Sequence, residues 1–235
     1  MDETDLIWSG HEFDAMSLWC FENPKPIPEM KPEERLIPWG RILVRSGFLV
    51  RPASAGIFDL TDENPQNVQF LRSLLSRIGL GASLIGSTFS PPGAEFDENR
   101  WLHTFYDYKR AHTEGGPGGD ARSVQIYYLD PFISGVVRGL NTMGYLTCSS
   151  CDGHGLYKTY ISFSGKYDTE RIAAFLSQKS GIRWVVGSDD WRTVITFAYG
   201  VRGRERRDRR YDLLSLAESL NKFWVEERNQ ASASL

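Results

Sequence analysis

The sequence predicts an α+β fold in which helices cover one face of a mostly antiparallel sheet in the C-terminal half. The main observation is the order of patterns after residue 120, which alternates as strand, helix, strand, strand, helix, strand, strand, helix. A second observation is the composition of the 235-residue chain, whose 41% hydrophobic and 24% charged residues are typical of a globular protein. The length suits one large domain or two small ones.

The N-terminal half has less regular patterns. Residues 1–38 combine aromatic residues with a series of prolines, which predicts an irregular arm packed on the rest of the protein. Residues 40–50 are β-branched and apolar and predict one or two strands. Apolar spacings of three and four predict a helix from Asn64 to Ile78, ended by Gly79, whereas Trp101 to Tyr108 fits either a strand or a helix.

A glycine-rich stretch separates the two halves. Glu114 to Asp120 contains four glycines and one proline, which is typical of a flexible loop or linker. We therefore place the candidate domain boundary there. It divides an α/β region at 39–120, either separate or part of the same domain, from an α+β sandwich at 121–235.

The C-terminal half has clearer sequence signals for where helices begin and end. Asp130-Pro131 is typical of a helix start, with Asp as N-cap and Pro at the first helical position, and Gly144 is typical of the end of that helix. Two more helices are predicted at Asp168–Ser180 and Leu213–Val225. The predicted strands are Val124–Leu129, Tyr145–Ser149, Tyr157–Ser164, Ile182–Val186 and Thr193–Tyr199.

The densest group of chemically reactive residues lies between Thr147 and Gly155. This stretch contains two of the three cysteines and one of the four histidines. Cys148, Cys151 and His154 have the spacing of a partial zinc site. The fourth ligand would come from Cys20, His11, His103, His112, an acid or water.

Two other interpretations of this stretch stay open. His154 could lower the pKa of Cys151 or act as a base, which would make a nucleophilic or acid-base site. Alternatively, the cysteines are small core residues and the glycines only form a turn. An odd number of cysteines argues against a disulfide framework.

The segment Tyr145-Leu-Thr-Cys-Ser-Ser-Cys-Asp-Gly153, following a helix that ends in Leu140-Asn141, resembles the wybutosine-synthesis methyltransferases of the TYW-three type. Their signature is a Ser-Ser-Cys-Ser-Gly-Arg loop, which Ser149, Ser150, Cys151 and Gly153 match. Asp152 replaces the third Ser of that signature, the one after the Cys, and His154 replaces its Arg. The Ser-Cys-x-Gly-His loop after this helix also resembles loops of bacterial and phage proteins without an assigned function.

This resemblance implies a nucleic-acid-directed enzyme that uses S-adenosylmethionine to methylate a modified guanosine in transfer RNA. In it, the loop residues Ser149, Ser150, Cys151 and Gly153 would line the pocket, and Asp130 and His154 would handle protons or substrate polarity. Arg204, Arg206 and Arg207 would hold phosphate. The alternative function is a non-enzymatic, zinc-stabilised interaction or regulatory module of phage or mobile-element type, which would use Cys148, Cys151 and His154.

Charge and hydropathy limit which kinds of partner the sequence predicts. The net charge is −3, but Arg202 to Arg210 holds six Arg and two acids, so this stretch could bind RNA or a nucleotide or could be a solvated connection. The sequence has no run of about 18 apolar residues, so it predicts no membrane-spanning helix. The acidic N-terminus lacks the pattern of a secretory signal, so we expect a cytoplasmic protein.

Overall fold

The computed structural model describes residues 32–53, 56–92, 97–112, 124–155, 158–164, 166–189, 192–197 and 210–221. Within these ranges it contains six α-helices and two four-stranded antiparallel sheets. The predicted α+β class is therefore confirmed. None of the helices in the described ranges has the length and apolar character needed to span a membrane.

The N-terminal half folds around an aromatic core. Its sheet has the strand order β1-β2-β4-β3. Trp39, Phe89 and Trp101 are fully or almost fully buried, and Trp39 meets both of the other rings edge to face. The elements are α1 (Pro32–Arg45), β1 (Arg51–Ala53), β2 (Ile57–Asp59), α2 (Pro65–Arg77), β3 (Leu84–Ile85), β4 (Thr88–Phe89) and α3 (Glu98–His112).

The prediction of strands over residues 40–50 was wrong, and so was the prediction of an irregular arm over residues 32–38. Both segments contribute to α1. Trp39, Ile42 and Leu43 recur at helical spacing and are buried, which favours a helix although the segment is rich in β-branched residues. Pro38 lies inside this helix, so burial of the apolar face outweighs the loss of one backbone hydrogen bond.

The helix predicted from Asn64 to Ile78 is confirmed as α2. The side chain of Asn64 accepts a hydrogen bond from the Asn67 amide at 2.8 Å, as expected of an N-cap. Gly79 follows the helix with a φ of +84°, a conformation that glycine adopts without strain. The ambiguous segment from Trp101 to Tyr108 lies within α3 and is helical.

The C-terminal half is a four-stranded antiparallel sheet with the order β5-β6-β8-β7. Three helices share one core with Ile161 and Phe163 of β6 and Trp184 of β7. The elements are α4 (Ser134–Thr142), β5 (Thr147–Cys151), β6 (Tyr160–Phe163), α5 (Thr169–Ser180), β7 (Trp184–Asp189), β8 (Arg192–Phe197) and α6 (Arg210–Leu220).

Most predicted elements of this half are found, with shifted ends. The helix from Asp168 is confirmed, because the Asp168 side chain accepts from the Arg171 amide at 3.0 Å and Gly181 ends the helix in the left-handed conformation. The predicted hairpin is formed by β7 and β8. The strand predicted at Tyr145–Ser149 lies two residues later, at Thr147–Cys151.

The strand predicted at Val124–Leu129 was wrong, because this segment contains a short 3-10 helix at Ile126–Tyr128. Its backbone is held by a side chain of α2 instead of by a neighbouring strand. The Asn67 side chain accepts from the Ile126 amide and donates to the Val124 carbonyl, both at 2.9 Å. Asp130 is likewise not the N-cap, since α4 begins at Ser134 and its cap residue is Ile133.

Buried ionic contacts connect the two halves. Arg138 of α4 pairs with Glu63 at 2.8 Å, and both side chains are almost inaccessible to solvent. Arg45 of α1 pairs with Glu218 of α6 at 2.6 Å. Glu63 also accepts hydrogen bonds from the Leu49 amide and the Asn67 side chain, so its carboxylate organises the junction. The predicted linker at Glu114–Asp120 lies outside the described residues.

We predict that Arg138→Met destabilises the fold by about 3–5 kcal/mol, because Glu63 would keep a buried charge without its cation. The double variant Glu63→Gln, Arg138→Met removes the whole pair and should be more stable than the single Arg138→Met variant. Urea denaturation of the three proteins tests this. A double variant less stable than Arg138→Met would contradict the explanation.

Candidate metal centre

Four side chains with metal-binding atoms meet where β5 ends. They are Asp130, Cys151, Asp152 and His154, and one ligand atom from each lies within 4.8 Å of the others. Asp130 comes from the turn before α4, whereas the other three follow one another closely at the end of β5. The cluster therefore joins a local loop to a residue that is distant in the sequence.

The Asp130 carboxylate contacts groups from two separate parts of the chain. It is buried and accepts a hydrogen bond from the Asp152 amide at 3.1 Å. Its other oxygen is paired with the ammonium group of Lys109, which α3 contributes from the N-terminal half. The Asp130 backbone carbonyl accepts from the amides of Ile133 and Ser134, which fixes the turn leading into α4.

The loop after β5 turns sharply. Gly153 and His154 adopt positive φ values of +79° and +47°. The Asp152 side chain stabilises this turn by accepting from the His154 amide at 2.8 Å, and Thr159 donates to the Asp152 carbonyl at 2.8 Å. A Cβ at position 153 would lie 3.1 Å from the Thr159 nitrogen, so the close approach of the backbone and the positive φ together favour glycine there.

His154 is strained and placed between two polar partners. A left-handed conformation is unfavourable for a residue other than glycine, and such strain is concentrated at functional sites. The ring atom Nε2 lies 3.4 Å from Cys151 Sγ. Nδ1 lies 3.4 Å from the Asp152 carboxylate. The imidazole thus connects a thiol to a buried acid.

The electrostatics of the cluster favour bound protons or a bound cation. Burial, followed by the charge of Asp130, raises the pKa of Cys151 to about 12. Burial and Asp130 also raise the pKa of Asp152 to about 6, although His154 and Arg210 act in the opposite direction. In the metal-free site the pKa of Cys151 is therefore shifted upward, opposite to the direction that activation of this thiol by His154 requires.

The structure separates the two cysteines of the loop. Cys148 is half-buried and is not a member of the cluster. Both cysteines lie in β5, and an irregularity in the pairing with β6 occurs between Thr147 and Ser149, around Cys148. Of the predicted ligand set, Cys151 and His154 lie in the group of metal-binding side chains together with Asp130 and Asp152, whereas Cys148 does not.

The predicted pocket residues occupy two faces of the sheet. Cys151 pairs with Tyr160 across the strands, whereas Ser150 pairs with the buried core residue Ile161. Because alternate residues of a strand face opposite sides, Ser149 lies on the face of Cys151 and Ser150 on the core face. The Ser149 hydroxyl lies 3.2 Å from that of Tyr160. Gly153 has a conformational role in the loop.

Several other candidates lie away from the cluster or outside the described residues. Cys20, His11 and the phosphate-binding candidates Arg204, Arg206 and Arg207 are not among the described residues, and neither is most of the Arg202–Arg210 stretch. His103 lies on α3, where burial lowers its pKa, and it is not part of the metal-binding group. His112 is the last residue of α3.

Sequence reasoning missed three contributors to the site. Asp152 was noted only as a departure from a signature, although it is almost completely buried beside the histidine. Lys109 was not considered for the site, and Arg210 was considered only as part of the Arg202–Arg210 stretch. Arg210 is buried, with its guanidinium 5.0 Å from the centre of the Phe132 ring. Nothing in the sequence around Lys109 predicted its contact with Asp130.

Comparison of the chain with protein-family models, curated proteins and solved structures found no match. The site is therefore interpreted from its own chemistry.

We predict that Cys151 is an unreactive thiol in the metal-free protein, because its pKa is about 12 and an ordinary cysteine has a pKa of about 8.5. In a Cys20→Ser, Cys148→Ser background with a chelator at pH 8, iodoacetamide should alkylate it at least ~100-fold more slowly than the unfolded chain. Mass spectrometry measures the rate.

The matched control for this measurement is the Cys20→Ser, Cys151→Ser chain, which retains only Cys148. Asp130→Asn should accelerate alkylation of Cys151, since it removes a charge that opposes the thiolate. Alkylation of native Cys151 at the rate of the unfolded chain would contradict the prediction.

Proposed function

We propose that the chain binds one zinc ion at the cluster of Asp130, Cys151, Asp152 and His154, and that this centre is its functional site. The observation that supports the proposal is the convergence of a thiol, an imidazole and two carboxylates within 4.8 Å. Three kinds of donor in one small volume are more specific than a cluster of acids alone.

The donor chemistry favours zinc over magnesium and calcium. Thiolate and imidazole are typical zinc ligands, whereas magnesium and calcium prefer sites made of oxygen atoms only. A divalent cation also compensates the two carboxylates. Its charge would favour loss of the proton from Cys151, which the metal-free site strongly retains.

The proposed ligand set makes a prediction about the two cysteines of the loop. Purified protein should contain about one zinc per chain by elemental analysis, and Cys151→Ser and His154→Ala should lose most of it. Cys148→Ser, the matched control in the same strand, should keep it. Loss of zinc from Cys148→Ser alone would favour the cysteine pair as ligands, and metal-free wild type after zinc dialysis would refute the proposal.

A second candidate function is a nucleic-acid-directed enzyme similar to the wybutosine-synthesis methyltransferases, with S-adenosylmethionine as cofactor. The observation that favours it is the position of the cluster, which lies on the same Ser-Ser-Cys-x-Gly loop that gives the resemblance. The Ser149 and Tyr160 hydroxyls lie on the Cys151 face and could contact a polar ligand. S-adenosylmethionine would supply the transferable methyl group, and RNA would be the partner.

If this second candidate is correct, S-adenosylmethionine at about 100 times its Kd should stabilise the protein by about 2.7 kcal/mol, because it binds only the folded chain. The rise in melting temperature should be reduced in Ser149→Ala. Transfer RNA should be retained by the wild-type protein in a gel-shift experiment. Absence of both the melting shift and RNA retention would refute this function without affecting the zinc proposal.

A further inference from the structure

We infer that the centre is an open zinc site with three protein ligands: Cys151 Sγ, His154 Nε2 and one oxygen of Asp130. Asp152 then lies outside the coordination shell, and the fourth position takes water or a small exogenous ligand. This inference rests on the proposed zinc binding and adds the class of the site.

The role of Asp152 follows from the partners of its carboxylate. Its Oδ1 atom accepts from the His154 amide at 2.8 Å and lies 3.4 Å from the ring Nδ1. A metal-bound histidine commonly directs its second nitrogen toward a carboxylate, which fixes the ring orientation. Asp152 is placed for that supporting role, so Nε2 is the nitrogen that faces the centre.

The distance between the Cys151 and His154 donor atoms suits coordination of one zinc ion by both. Zinc bonds of about 2.0–2.3 Å in a tetrahedral arrangement place neighbouring ligand atoms roughly 3.3–3.8 Å apart. Cys151 Sγ and His154 Nε2 are separated by 3.4 Å. These two atoms therefore need little rearrangement to bind one ion.

Asp130 is the third ligand because its carboxylate is held in place and still has acceptor capacity. One oxygen pairs with Lys109 and the other accepts from the Asp152 amide. A carboxylate oxygen has two lone pairs, so each oxygen can bind a further partner. Lys109 and the Asp152 amide then act as positioning groups that orient the ligand.

An open fourth position distinguishes catalytic zinc sites from closed structural ones. The face of the sheet beside it is polar, since Cys151 pairs with Tyr160 and the Tyr160 hydroxyl lies 3.2 Å from that of Ser149. The ligand class expected at this position is water, a small anion, or an oxygen or nitrogen donor of a substrate.

Cobalt replacement in the full chain tests the inference. Cobalt-loaded wild type should show tetrahedral visible bands and a sulfur-to-cobalt charge-transfer band. Titration with azide should change the visible bands saturably. Asp152→Asn should still bind one cobalt with the charge-transfer band intact and an affinity lowered about 10–100-fold, as for other supporting residues. Asp130→Asn, the matched control, should lower the affinity further.

The outcomes separate the two levels of the proposal. Failure of wild type to bind cobalt or zinc would refute the proposed function itself. Metal binding with a spectrum that azide leaves unchanged would show a closed site and overturn the inference alone. Complete loss of cobalt from folded Asp152→Asn, with folding checked by circular dichroism, would make Asp152 a ligand and would also overturn it. The azide titration needs no variant and is decisive even if both variants fail to fold.

Discussion

The buried carboxylate of Asp130 is the constraint on which the candidate site depends. A charge so far from water is stable only when it is paired and hydrogen-bonded. Its partners come from separate parts of the chain, namely Lys109 on α3 and the backbone amide of Asp152 after β5. The contacts of this carboxylate therefore hold α3 and the loop after β5 close together. The metal-binding cluster lies at that point.

The same carboxylate makes it unfavourable for its neighbours Cys151 and Asp152 to lose their protons. Burial and the charge of Asp130 raise the pKa of Cys151 to about 12 and that of Asp152 to about 6, so in the metal-free centre both groups keep their protons to a higher pH than an ordinary cysteine or aspartate does. Lys109 pairs with Asp130 and the charge of Arg210 acts on Asp152, so these two cations formally balance the two carboxylates while the Cys151 thiol keeps its proton. A bound divalent cation would offset this effect, because it stabilises the thiolate and the carboxylates together. Proton release and metal binding are thus expected to be coupled.

Local sequence patterns predicted only local structure. The α2 and α5 helices follow from apolar spacing and from the caps Asn64 and Asp168, which act within three residues. The loop from Thr147 to Gly155 was found because its chemistry is dense along the chain. Lys109 was not found, because it meets Asp130 across 21 residues and no periodicity reports such a contact. The strand predicted at Val124–Leu129 failed for a similar reason, since Asn67 supplies the hydrogen bonds from 57 and 59 residues away.

The positions where the loop departs from the methyltransferase signature are the ones that complete the cluster. A serine at 152 would offer no carboxylate to the His154 ring, and an arginine at 154 has only donors and could not bind a metal. Asp152 and His154 instead supply a buried acid and an imidazole beside Cys151. Gly153 supplies the positive φ with which the chain turns after β5. A carboxylate and an imidazole at these two positions suit contact with a cation, whereas an arginine suits contact with phosphate or carboxylate.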